Sequence, residues 1–143
     1  MANAEIERLC NYCVAFAKES LKNHGELPPF GAVIRRGGVL VPVLPKTDEQ
    51  TPISGPVAAE VLTTGLRQLA REQQATVLAL CWDGFVSIEG APRTKTDAIV
   101  VGLEHENGEA LDVFIPYRNR RFLGYSFGDR IAVERVRSFF SSD

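Results

Sequence analysis

The sequence has little of what recognisable catalytic sites are made from. Its 143 residues include 3 cysteines, 2 histidines and 1 methionine. An odd number of cysteines makes no disulfide framework, and a reducing, cytoplasmic setting is the simplest expectation. The chain contains no G-x-G-x-x-G, P-loop, G-x-S-x-G or H-E-x-x-H motif, so no cofactor is expected. Long apolar runs are missing as well. Val77 to Trp82 falls far short of the ~20 residues that span a bilayer, and Met1 to Glu7 has no basic stretch leading into an apolar one. Nor is there a surplus of one sign of charge. Sixteen Lys and Arg against 18 Asp and Glu leave a net charge of −2, which gives no electrostatic ground for nucleic acid or an anionic membrane as partner.

What is present describes an ordinary core. Hydrophobic residues make up 45% of the chain and charged residues 24%. A chain this long buries roughly two-thirds of its unfolded surface, so residues 1–143 are expected to form one globular domain without disulfides or metal.

Apolar positions at three- and four-residue spacing (Ile6, Leu9, Cys10, Cys13, Ala17, Leu21) predict an amphipathic helix over Asn3 to Lys22, stopped by Gly25. Phe30 to Arg36 and Val39 to Leu44 read as a hairpin around Gly37-Gly38, with Pro42 confining the second strand to a sheet edge. Pro45 to Ser54 reads as a loop. A second helix follows from Pro56, buried through Val57, Val61, Leu62, Gly65, Leu66 and Leu69. Gly65 in that stripe suggests close approach of another backbone. Thr76 to Trp82 and Phe85 to Ile88 are strand runs, with a bulge expected at Gly84. Asn107-Gly108 is a strong two-residue turn signal between Asp97–His105 and Glu109–Tyr117. That turn would set His105 opposite Ala110, Leu103 opposite Asp112 and Val101 opposite Phe114. Asp129 suits the cap of a last helix through Phe140, with Ile131 or Ala132, Val136, Phe139 and Phe140 inward.

The expected fold is therefore an α+β sandwich, αββαβββα, with a five-stranded antiparallel sheet. Its element order resembles that of roadblock and profilin-like domains, in which the first hairpin sits beside the last strand. Both faces of Val77 to Trp82 are apolar, so the C-terminal segment or another subunit must cover the second face. An apolar strand carrying Trp82, placed at an edge, would pair with its own copy, and a homodimer is expected on that ground.

Five features of the sequence bear on chemistry. Cys10-Asn11-Tyr12-Cys13 has the spacing of a redox or structural zinc pair, but both thiols fall on the buried helix stripe, where free cysteine acts as a small hydrophobe. Pro29-Phe30-Gly31-Ala32-Val33, followed by a helix with Ala59-Glu60, resembles the opening of the zinc-dependent cytidine deaminase family. That resemblance implies a zinc-bound water and a carboxylate acid/base. Ala58 occupies the ligand position and no Pro-Cys-x-x-Cys follows, so the activity is not expected. Glu104-His105-Glu106, with Asp112 on the facing strand, offers a small enzyme for an anionic substrate. Arg93, Lys95, Arg118, Arg120 and Arg121 should gather around Tyr117 at one end of the sheet, a site for a small anion or an acidic protein surface. Finally, Lys95-Thr96-Asp97-Ala98-Ile99, Leu103-Glu104-His105 and Val113-Phe114-Ile115-Pro116-Tyr117 resemble stretches in a group of small bacterial proteins of uncharacterised activity. That likeness implies a bacterial origin and no particular reaction. The expectation is a non-enzymatic binding or regulatory domain, without catalytic residues, metal or cofactor.

Overall fold

The computed structural model describes residues 3–45, 55–88 and 94–140, apart from the side chains of Ile88, Thr94 and Arg121. In chain order it has α1 (Ala4–His24), β1 (Phe30–Arg35), β2 (Leu40–Val43), α2 (Gly55–Arg71), β3 (Ala75–Ile88), β4 (Thr94–His105), β5 (Ala110–Asn119), a 3-10 turn at Arg121–Leu123, β6 (Tyr125–Phe127) and β7 (Ile131–Glu134). The fold is α+β, an open antiparallel sheet with two helices among the described residues.

Helix α1 forms where the apolar spacing placed it. The Asn3 side chain accepts from the amides of Glu5 and Ile6, and Gly25 ends the helix at φ 72° with its N–H on the Leu21 carbonyl. The sheet runs β2-β1-β3-β4-β5-β6, with β7 returning along the other half of β5. The first hairpin therefore sits beside β3, the next strand in the chain, not beside the last as in the roadblock and profilin-like order. Among the described residues the sheet has seven strands where five were expected, because two short strands lie where a loop and a helix were expected.

The two helices cover opposite faces. Alternation sends Ile34, Val77, Ala79, Cys81, Ile99, Val101 and Leu103 toward α1. On the other face Val33, Leu78 and Leu80 pack with Leu62 and Leu66 of α2 and with Phe139 and Phe140. The C-terminal segment thus shares the second face with α2. The strand carrying Trp82 lies between β1 and β4, so the reason for expecting a homodimer through it is removed.

Both hairpins turn with three residues rather than two. Arg35 pairs with Val39, and His105 with Glu109, each closed by a bond from the third loop residue, Gly38 or Gly108, back to the carbonyl of Arg35 or His105. A two-residue type I′ turn would need positive φ at both Asn107 and Gly108, and only Gly108 has it, at 110°. The register slips by one as a result. Gly102 lies opposite Asp112, Leu103 opposite Leu111 and Val101 opposite Val113. Because strand side chains alternate, this moves Asp112 to the face opposite His105.

The expected bulge at Gly84 does not form, for the β3–β4 register is unbroken from Val77 to Ile88. A Cβ there would come within 2.9 Å of Val100 Cγ2 and 3.2 Å of Trp82 Nε1, so the glycine makes room for those side chains. Gly65 has no such purpose, with nothing within 4 Å of its would-be Cβ.

The expected last helix is replaced by β7 and an extended tail. Ile131 and Val133 turn their amides to β5, and Val136, expected inward, is 89% exposed. Phe139 and Phe140 are buried as expected, but by a bend that a buried acceptor holds.

Candidate functional site

At one end of the sheet, β5 leaves its pairing with β4 at Pro116 and continues beside β6. The chain then reverses through Arg120–Gly124. Arg120 N–H bonds the Gly124 carbonyl at 2.8 Å, and Gly124 takes φ 78°. Between β6 and β7 the strand breaks at Gly128, whose N–H donates to the Pro116 carbonyl at 2.7 Å. This break opens a cleft of about 460 Å³ lined by Thr96, Pro116, Tyr117, Arg118, Arg120, Ser126, Phe127, Gly128, Asp129 and Ile131.

Tyr117, which borders the cleft, is fixed from the α1 side of the sheet, where its ring packs in the core. Its hydroxyl donates to Asp83 Oδ1 at 2.7 Å, and its ring lies 5.9 Å from Tyr125 and 6.3 Å from Phe127. Burial first, and then the Asp83 carboxylate, push the phenol well above its ordinary pKa. It remains a neutral donor. Burial likewise raises Asp83, with Asp97 adding repulsion and the Tyr117 hydrogen bond working against both. Lys18 and Lys22 of α1 sit over the Phe127 ring at 5.0 and 5.7 Å.

Arg118 and Arg120 line the same cleft with exposed side chains, and neither forms an ion pair among the described residues. Of the six residues expected to gather here, Tyr117, Arg118 and Arg120 do so. Lys95 stacks on Phe85 at 4.7 Å instead and is not part of the wall. Arg93 and the Arg121 side chain lie outside the described residues. Ser126 and Gly128 carry no signal of this in the sequence, because their placement depends on β6, three residues between glycines; Thr96 reaches the cleft from β4.

His105, Glu104 and Asp112 do not converge. Glu104 has no exposed surface and faces α2's side of the sheet. Its carboxylate accepts from Arg135 Nη1 (2.5 Å), Ser138 N (2.7 Å), Ser138 Oγ (3.0 Å), Phe139 N (2.8 Å) and Phe140 N (3.0 Å). Burial alone would raise its pKa, but Arg135 and the three amides outweigh it and hold the carboxyl below its usual range. Asp112 accepts from Arg135 Nε at 2.8 Å. Gly102 lies beneath this arrangement, where a Cβ would meet Asp112 Oδ1 at 3.1 Å and Arg135 Nη2 at 3.3 Å.

His105 is on the α1 face. Its Nδ1 accepts the Asn107 N–H at 3.0 Å, which leaves the proton on Nε2, and Nε2 donates to Glu5 Oε1 at 3.0 Å. Glu5 also accepts from Thr76 Oγ1 at 2.7 Å. The His105 and Thr76 hydrogen bonds are the main reasons its carboxyl titrates below the ordinary value. The imidazole therefore ties α1 to the sheet.

Cys10, Cys13 and Cys81 are buried free thiols, each pushed up by desolvation. That burial favours the protonated thiol over a metal-binding thiolate. Among the described residues no group of three His, Cys, Asp or Glu is placed to hold a metal ion. At the deaminase-like position Ala58 packs inward and Glu60 faces solvent. Among the described residues no helix is long and apolar enough to cross a membrane.

No protein-family model matches the chain, and no curated protein or solved structure matches it.

Proposed function

We propose that the chain is a non-enzymatic binding or regulatory domain of the cytoplasm that takes a phosphate or carboxylate in the cleft between the end of β5 and β6. The observation that carries this reading is the pair of guanidinium groups, Arg118 and Arg120, on the walls of one concave site without acidic partners among the described residues. Guanidinium groups bind planar and tetrahedral oxyanions with paired N–H donors. Ser126 and Thr96 add hydroxyl groups to the lining. Among the described residues Asp129 is the one carboxylate on the wall, and two guanidinium groups against it leave a positive balance.

The test is thermal unfolding in inorganic phosphate against chloride at equal ionic strength. A site of millimolar Kd, at ligand about 100-fold above Kd, adds about 2.7 kcal/mol to stability. The intact chain should melt higher in phosphate, and Arg118→Ala/Arg120→Ala should lose that increment. An equal rise in both proteins would overturn the reading. Binding to an acidic protein surface but not to phosphate would replace the small-anion site with a protein-docking one.

A further inference from the structure

The two edges of the sheet are built differently. β2 carries Pro42, which has no N–H to offer another strand. β7 has neither proline nor lysine across Ile131–Glu134, and its Ile131 and Val133 side chains are 39% and 50% exposed. Such an edge is a template for another strand.

Its hydrogen-bonding direction follows from the ladder. Arg135 N–H donates to the Ala110 carbonyl at 3.0 Å. Amide direction alternates along an antiparallel strand, so Val133 and Ile131 face β5, while Ala132 and Glu134 face the open side. The charges on that side are self-complementary. Reading Arg130-Ile131-Ala132-Val133-Glu134 antiparallel to itself about Ala132 sets Arg130 opposite Glu134 of a second copy, twice by symmetry. The same register sets Ile131 opposite Val133 and uses the outward amide groups of Ala132. The Arg130 guanidinium rests on Asn11 Oδ1 at 2.7 Å, and neither it nor Glu134 has a partner of opposite charge among the described residues.

We propose that the chain forms a two-fold dimer through β7, joining two sheets into one continuous antiparallel sheet. This rests on the strand edge and not on the anion cleft.

Sedimentation equilibrium of the intact chain at micromolar concentration tests it. The expected mass is twice the 15.7 kDa of one chain. Arg130→Glu and Glu134→Arg each place like charges opposite one another and should raise the dimer Kd about tenfold or more. Combining them restores the pairing and should bring Kd back to near the starting value, an outcome that misfolding cannot produce. Ala132→Pro removes an outward amide without touching the β5 ladder and should give monomers whose circular dichroism is unchanged. A one-chain mass for the unaltered protein, a Kd indifferent to both single charge changes, or a double variant no tighter than the singles would each overturn the proposal.

Discussion

At position 104 a carboxylate with no exposed surface accepts from a guanidinium, a hydroxyl and three consecutive amides, 31 to 36 residues further along the chain. Removing one partner of such a group leaves the others buried and unpaired, which costs about 3–5 kcal/mol. Glu104→Ala should therefore lower the unfolding free energy by about that amount in a denaturant titration and release Phe139 and Phe140 from the α2 face. Its pKa is lowered in the folded state, so the stability it contributes is present above the unfolded carboxyl's pKa and is lost as pH falls through the folded value. Glu5 acts in the same sense, and Asp83, raised by burial, in the opposite one. Acid titration of stability should be flatter in Glu104→Gln than in the unaltered chain. A loss of stability in acid as steep in the variant as in the parent would show that this carboxylate is not what holds the C-terminal segment. Strand alternation sends Glu104 and His105 to opposite faces of the sheet. The partner of Glu104 was not legible, because nothing local marks Ser138 to Phe140 as donors to a strand so far away.

The elements show where local pattern suffices and where it fails. Helix α1 was legible to within two residues at each end because the apolar stripe and Gly25 agree, while the capping role of Asn3 emerges only in the structure. The hairpins were legible as hairpins but not in loop length; in the second, the φ of Asn107 decides between a two- and a three-residue loop and so sets the register. The last helix was misread because Ile131-Ala132-Val133 satisfies either period, and the choice is made by β5 beside it and by Glu104 beneath the tail. Glycines separate in the same way. Gly65 lies in α2 with open space around it, so Gly65→Ala should stabilise by about 0.5–1 kcal/mol and raise Tm by roughly 2–4 °C in calorimetry. Gly102→Ala, by contrast, pushes a methyl into Asp112 and Arg135 and should destabilise by about 1–3 kcal/mol. If both substitutions moved Tm the same way, the packing around one of them would be wrong.

For the whole molecule, helices on both faces account for strands that are apolar on both sides, and they leave function to the ends and edges of the sheet. The composition argued against nucleic acid and membrane partners, and two of the five cations expected to cluster, Arg118 and Arg120, line the cleft at the end of β5. The rest of the cleft depends on the return of the chain through Gly124 and Gly128, which sequence spacing alone does not locate. The function proposed for the chain requires that this cleft hold an anion. Amide NMR of the intact chain, titrated with inorganic phosphate, tests this most directly. Shifts concentrated at Arg118, Arg120 and Ser126 to Asp129, saturating with one Kd and abolished by Arg118→Ala/Arg120→Ala, are predicted. Shifts that are absent there, or spread evenly over the lysines and arginines of the whole surface, would contradict it.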